Sequence, residues 1–444
     1  MKPFGLLGRK LSHSISPEIH AELCDYEYLL FEKEPQELDG FFEEKNFSGL
    51  NVTIPYKKDV IKYCSALSPA AEKIGSVNTI TIKKDGTLFG DNSDYFGFSY
   101  MIEKSGVQIK DKICLILGTG GASLTVKAVL CDLGAKEVIF VSRSGEVNYQ
   151  NIYDVCSSAQ VIVNATPVGM YPNNGEKVID ISRFKNLCGV FDLIYNPSLT
   201  PILYDAKNLN IPYAGGLNML VAQAHMSAEE FIQNKIPREK IESTVKKIEK
   251  SRRNIVLIGM PGSGKSTMAN FLGQELKREV FDTDLMTEER CKITIPEMFS
   301  KYGEKYFRDE ETKSACEVGK KSGVIIATGG GAVLREENRY FLKQNSIIVL
   351  LKKDASLLQR DGRPLSKSLE EVKRIEKENV EPSLTFEIPV DNVSIILETT
   401  LSNKLPSITD SLRFVRYSPS ELVDSNKLKL NPLKLLASFR IPFT

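Results

Sequence analysis

Two glycine-rich turns in this 444-residue chain have the residue types and spacing of phosphate sites. At Gly259-Met-Pro-Gly262-Ser263-Gly264-Lys265-Ser266-Thr267 the pattern is G-x-x-x-x-G-K-[ST], between an apolar run at 255–258 and a helical pattern at 268–276. There, backbone N–H groups from Gly262 to Thr267 cradle phosphates, Lys265 reaches the outer ones, and the Ser266 hydroxyl is placed for Mg2+. The expected ligand is a nucleoside triphosphate. The second turn, Gly118-Thr119-Gly120-Gly121-Ala122-Ser123, joins a strand at 113–117 to a helix running to 133. Gly118 permits the tight turn, Gly120 admits a pyrophosphate, and the helix N-terminus faces its charge. Ser123 stands where a third glycine is usual. The next strand ends Val141-Ser142-Arg143-Ser144, with no carboxylate for a ribose hydroxyl. An arginine flanked by hydroxyls suits a 2′-phosphate, hence NADP(H) rather than NAD. A plain strand–helix turn and a solvated arginine are the blander readings.

A hydride carrier needs a carbonyl or alcohol partner and a group that exchanges the proton. Lys57, just past a strand in Asn51-Val-Thr53-Ile-Pro55-Tyr-Lys57, and Asp94, in the polar turn Asn92-Ser93-Asp94, are the candidates. An ammonium beside a carboxylate stays charged and can donate to a developing alkoxide, although two surface charges are the commoner reading. In the second half, Phe281-Asp282-Thr-Asp284 ends a strand with two carboxylates on one side, since strand side chains alternate. One can support Mg2+ and the other accept a hydroxyl proton. Arg308 and Glu311 lie one helical turn apart, and Gly329-Gly330-Gly331 ends a strand where backbone must approach a ligand closely.

These residues need α/β scaffolds. Short strands at 4–7, 50–53 and 77–82 alternate with helical patterns, and a second series at 112–117, 138–141, 161–164 and 190–193 reads as a doubly wound parallel sheet. The stretch 217–231 reads as a long helix returning to the first part. Residues 237–253 are charged and read as a solvent-facing linker helix, after which the P-loop strand opens a further parallel sheet. The length suits about two to four domains. With 58 Lys+Arg against 57 Asp+Glu the net charge is +1, so nucleic acid is not an expected partner. No apolar run reaches the ~20 residues of a membrane span. Eight cysteines scattered without a C-x-x-C pair read as reduced thiols, and the start lacks a secretion signal, so a cytoplasmic protein is expected.

Beyond the loops, ordered segments carry a resemblance. Residues 5–231 resemble shikimate dehydrogenases through Gly5-Leu-Leu-Gly8, Leu11-Ser-His13-Ser14-Ile-Ser16-Pro17, the Asn51–Lys57 and Gly118 segments, Gly75-Ser-Val-Asn78-Thr79, Gly90-Asp-Asn92-Ser93-Asp94, Asn164-Ala-Thr166-Pro-Val-Gly169-Met170, Asp192-Leu-Ile-Tyr195-Asn-Pro197 and Gly216-Leu-Asn-Met219-Leu-Val-Ala-Gln223. The resemblance implies that Ser14, Ser16, Thr53, Lys57, Asn78, Asp94, Tyr195 and Gln223 bind shikimate. Lys57 and Asp94 would manage the proton while NADPH reduces 3-dehydroshikimate. NADP would be held by Gly118, Thr119, Gly120, Gly121, Ala122, Ser142, Arg143, Ser144, Leu193 and Gly216. Ser93 and Ser142 depart from the usual Thr and Asn.

Residues 254–415 resemble shikimate kinases in the same ordered way. That likeness implies ATP bound by the P-loop residues with Arg360 and Arg363 of a lid, Mg2+ served by Ser266 and Asp282, and shikimate bound by Asp284, Arg308, Gly329, Gly330 and Gly331. Lys265 and Asp284 would be catalytic. The lid is short, and Asn379-Val380-Glu381-Pro382 lacks the family's arginine, for which Arg374 or Lys377 would have to substitute. The expected division is 1–103 with 217–236 for substrate, 104–216 as a Rossmann NADP domain, 237–253 as linker, 254–417 as a P-loop kinase domain and 418–444 as a tail. The expected function is two consecutive steps, reduction and then phosphorylation. Alternatives are a quinate dehydrogenase, or a dehydrogenase joined to a weak or inactive kinase-like module that senses ligand.

Overall fold

The computed structural model describes residues 2–12 and 14–353, together with the backbone of strands Leu384–Ile388 and Ile396–Glu398. His13, Arg360, Arg363, Arg374, Lys377, the 379–382 segment and the 418–444 tail lie outside the described residues. The chain divides into two units between Glu249 and Lys250.

Within the first unit, one six-stranded sheet runs Tyr28–Glu32, Phe4–Gly8, Gly49–Val52, Thr79–Ile82, Leu88–Asp91, Ala66–Leu67 from edge to edge. It is mixed. Thr79–Ile82 pairs antiparallel with both neighbours, forming a hairpin with Leu88–Asp91. The turn holds Gly86 at φ 82°, a conformation open to glycine at little cost. Leu88–Asp91 leads directly through Asn92 into the helix Ser93–Ser105. Asp94 is therefore in a helical first turn, not the polar loop expected, and the helix dipole favours its negative charge there.

The second sheet of this unit is wholly parallel, in the order Tyr213–Gly215, Gly189–Asp192, Val161–Asn164, Ile113–Leu117, Glu137–Val141. Alternation along Ile113–Leu117 sends Cys114 and Ile116 into one buried cluster and Leu115 and Leu117 into another. Both faces are covered, as a doubly wound sheet requires. Strand order reverses between Ile113–Leu117 and Val161–Asn164, so the Gly118 loop emerges at the switch point, where such sheets bind ligands.

The helix Leu217–Ile232 packs along Ser93–Ser105. They approach closely at Gly97, where an added Cβ would lie 2.6 Å from the Met219 carbonyl oxygen and 3.0 Å from the Gln223 Cβ. The expected solvent-facing linker is a helix, Glu239–Arg252, but one of its faces is buried. Ile241, Val245 and Ile248 join a cluster with Ile15, Ile19, Tyr100 and Val221, and Lys247 pairs with Glu22 at 2.6 Å. Three apolar residues at helical spacing within a charged run are enough to dock it.

The second unit has a sheet ordered Val280–Asp282, Ile325–Ala327, Asn254–Ile258, Ser346–Lys353, Leu384–Ile388, Ile396–Glu398, parallel except for its last pair. Val256 and Ile258 face one core cluster and Leu257 the other.

Candidate active sites

In the first unit, Lys57 and Asp94 come from different elements, the loop after Gly49–Val52 and the helix Ser93–Ser105. Their ion pair is 2.5 Å long, with side chains only 18% and 10% exposed. So little solvent leaves the pair less screened than a surface bridge. The Asn78 Oδ1 beside them accepts the Ser93 N–H at 2.7 Å. A backbone N–H can only donate, so the Asn78 Nδ2 is the end left free, and it has no acceptor among the described residues. Ser93 Oγ lies 3.2 Å from Gln223 Oε1, and the Gln223 amide nitrogen donates to the Leu220 carbonyl at 2.9 Å. Ser14 and Ser16 hydroxyls are 3.2 Å apart, and the Thr53 N–H donates to the Leu7 carbonyl at 2.9 Å. Tyr195 is half-buried on the cluster that includes Ile15 and Ile19.

At the dinucleotide loop, Gly118 has φ 100° and sits against Thr166 and Ala165 at the end of the neighbouring strand. Gly120 caps the helix Gly121–Asp132, and a Cβ on Gly120 or Gly121 would meet nothing within 4 Å. That open, exposed helix N-terminus fits a pyrophosphate. Ser123, in the third-glycine position, is fully buried and donates to the Gly120 carbonyl at 2.6 Å, so its hydroxyl braces the loop. Arg143 and Ser144 are exposed, Ser142 is half-buried, and Arg143 makes no hydrogen bond or ion pair among the described residues. Leu193 and Gly216 adjoin, since a Cβ on Gly216 would lie 2.1 Å from the Leu193 carbonyl oxygen. Asp192, just before, is fully buried, and burial pushes its carboxyl up to about 7. It accepts hydrogen bonds from Thr200, the Ile194 N–H and Asn164, tying two strand ends together beside the loop.

In the second unit, Gly262 and Gly264 take φ 81° and 90° in the P-loop. The Lys265 ammonium donates to the carbonyls of Gly259 and Met260 at 2.8 and 2.9 Å. Ser266 Oγ donates to Asp282 Oδ2 at 2.8 Å. A hydroxyl and a carboxylate already adjacent, on the exposed side of the loop, fit a magnesium ion. Asp282 and Asp284 do not share a strand face as expected. The strand ends at Asp282, which caps the helix Thr283–Cys291 by accepting the Asp284 N–H at 3.0 Å. Aspartate is a preferred N-cap, and that competes with extending the strand.

Asp284, Arg308 and Glu311 surround the triple glycine. Arg308 Nη1 meets Glu311 Oε2 at 2.7 Å, both side chains nearly sealed from solvent, while Arg308 Nη2 and Glu311 Oε1 have no hydrogen-bond partner among the described residues. A Cβ on Gly329 would strike the Asp284 and Glu311 carboxylates, on Gly330 the Pro261 ring, and on Gly331 the Arg308 guanidinium. The glycines thus admit the protein's own side chains. Burial, then the charges of Asp282 and Glu311, push Asp284 up to about 7, opposed by Lys265 and Arg308. Burial also raises Glu311, against the pull of Arg308. Glu311, paired with Arg308 by its spacing in the sequence, is the one member of this cluster absent from the residues that the kinase resemblance implies.

The parallel sheet with its glycine turn at the switch point, beside a mixed sheet carrying a Lys–Asp pair, defines a Rossmann-type two-lobed α/β protein. The substrate-binding-domain model of shikimate dehydrogenase matches residues 6–80, and the model for shikimate kinase matches residues 261–387. A shikimate dehydrogenase (NADP(+)) of Clostridium beijerinckii is 38% identical over 253 residues, 52% of this chain and 92% of the relative. One from Dehalococcoides mccartyi is 36% identical over 263 residues, 53% and 91% of the two chains. Among solved structures, a chorismate mutase/shikimate 5-dehydrogenase fusion protein from Clostridium acetobutylicum superposes with TM-score 0.53 at 36% identity, covering 56% of this chain and 97% of that one. Shikimate dehydrogenase 1 from Peptoclostridium difficile gives 0.52 at 34%, covering 56% and 98%. The chain belongs to the shikimate dehydrogenase family, with a shikimate kinase domain match following in the same polypeptide.

Proposed function

We propose that the chain carries out two consecutive reactions on one cyclic acid: NADPH-dependent reduction of 3-dehydroshikimate to shikimate, then ATP- and Mg2+-dependent phosphorylation of shikimate. The observation carrying the first is the secluded Lys57–Asp94 ion pair within a family of shikimate dehydrogenases. Bound NADPH supplies the hydride. As the carbonyl oxygen gains charge, Lys57 stabilises it and gives up a proton, and Asp94 keeps the ammonium charged and aimed. Ser14, Ser16, Thr53, Asn78, Tyr195 and Gln223 surround the acid and its hydroxyls. The Gly118 loop, with Ala122, Leu193 and Gly216, holds the dinucleotide, and Arg143 between Ser142 and Ser144 takes the 2′-phosphate.

In the second unit ATP supplies the phosphoryl group, with its phosphates in the P-loop and the ion held between Ser266 and Asp282. Asp284 accepts the proton of the attacking hydroxyl, and Arg308 Nη2, without a partner among the described residues, meets the carboxylate of the acid beside Gly329, Gly330 and Gly331. We assign residues 1–103 with 217–236 to substrate binding, 104–216 to NADP and 254–417 to phosphoryl transfer. Lys57→Ala is expected to lower the rate of NADPH oxidation with 3-dehydroshikimate by about 10²–10⁴-fold, with NADPH affinity by fluorescence titration nearly unchanged. Retention of most of kcat would place the proton donor elsewhere.

A further inference from the structure

Behind the substrate-binding residues of the first unit runs a buried chain of hydrogen bonds. It begins at Tyr28, whose hydroxyl donates to Asn51 Oδ1 at 2.8 Å. The Asn51 carboxamide nitrogen donates to Thr79 Oγ1 at 3.4 Å. Having accepted there, the Thr79 hydroxyl has one proton to send forward, to Ser93 Oγ at 3.0 Å or Asn78 Oδ1 at 3.1 Å. Ser93 in turn reaches Gln223 Oε1 and Asn78 Oδ1, each at 3.2 Å. Every step runs in one direction, and the chain ends on two residues assigned above to substrate. Asn51, Thr79 and Ser93 are at most 4% exposed, so water does not replace a missing partner.

We propose that Thr79 is a positioning residue for the substrate pocket. It stands at the three-way junction, where its hydroxyl holds the Asn78 and Gln223 carboxamides in the orientation the substrate meets. With the Asn78 oxygen committed to the Ser93 N–H and one neighbouring hydroxyl, its amide hydrogens are presented, so this part of the pocket takes an oxygen acceptor of the ligand. Removing the Thr79 hydroxyl leaves the Asn51 nitrogen without an acceptor among the described residues and deprives either Ser93 or Asn78 of a donor. Asn78 then keeps the Ser93 N–H and Gln223 keeps the Leu220 carbonyl, but the hydroxyl relay that restrains both carboxamides is weakened.

This inference rests on the dehydrogenase reading, and shikimate oxidation by the wild-type chain tests that reading separately. Thr79→Val keeps the shape and loses the hydroxyl, whereas Thr79→Ser keeps the hydroxyl. In the full chain, Thr79→Val is expected to raise KM for shikimate at least tenfold, with KM for NADP+ changed less than twofold. Thr79→Ser is expected to stay within threefold of wild type on both. Should Thr79→Val fail to fold, Tyr28→Phe, which removes the first donor of the chain, is expected to raise KM for shikimate about threefold with the same selectivity. An unchanged KM in Thr79→Val, an equal loss in the valine and serine variants, or a parallel rise in both KM values overturns the proposal. If only Tyr28→Phe can be measured, an unchanged shikimate KM overturns it.

Discussion

Asp284 illustrates how a single carboxyl takes its properties from its surroundings. Burial and the neighbouring charges of Asp282 and Glu311 place its titration at about 7, well above an ordinary aspartate. A base acts only when deprotonated, so kcat/KM for shikimate phosphorylation is expected to rise with pH as Asp284 ionises, and Mg2+ bound beside Asp282 would bring that limb below about 7. Asp284→Asn is expected to remove that limb along with about 10²–10⁴-fold of the rate, as read in an ADP-release assay across pH. Stability follows the opposite course. A carboxyl whose folded pKa exceeds its unfolded value favours the fold while protonated, and that contribution is lost as pH climbs from about 4 through 7. The asparagine variant should therefore lose less thermal stability than wild type between about pH 4 and 7, the interval between the unfolded and folded titrations of the wild-type carboxyl. At this scale the sequence was most legible where spacing is local, as in the P-loop or the Arg308–Glu311 turn. It was least legible where partners are remote: Ser93 and Gln223 are 130 residues apart, and no spacing rule pairs them.

Among the elements, the contact of Ser93–Ser105 with Leu217–Ile232 does most to shape the first site, since one helix carries Asp94 and the other Gln223. Gly97 permits it. Gly97→Ala would push a methyl against the Met219 carbonyl and the Gln223 stem, costing about 1–3 kcal/mol. Each kcal/mol should appear as a fall of roughly 2–4 °C in Tm, accompanied by a higher KM for shikimate as Gln223 shifts. An unaltered Tm and KM would mean that the helices are not held this closely. The parallel sheets were readable because their strands are short apolar runs between helical patterns. The Leu88–Asp91 strand was not, because Phe-Gly-Asp followed by Asn-Ser-Asp reads as a turn until its hairpin partner is known. Nor was the burial of Glu239–Arg252 evident, since Lys and Glu outnumber the three apolar residues that dock it. Asp282 and Asp284 reversed their expected geometry because a capping aspartate ends a strand as readily as it extends one.

For the whole molecule, the proposed function joins the two units at one compound, the product of the first reaction being the acceptor of the second. The match to shikimate kinase spans residues 261–387, and Lys265, Ser266, Asp282, Asp284 and Arg308 all fall within it. Within the described residues, no helix is long and apolar enough to cross a membrane. The most direct measurement is product analysis by phosphorus NMR and chromatography after the purified full chain is given 3-dehydroshikimate, NADPH, ATP and Mg2+. Equal amounts of NADP+ and ADP are expected, with a phosphorylated acid as the end product and shikimate passing only transiently. Accumulation of shikimate without ADP would contradict phosphoryl transfer by the second unit, and unchanged 3-dehydroshikimate would contradict both steps.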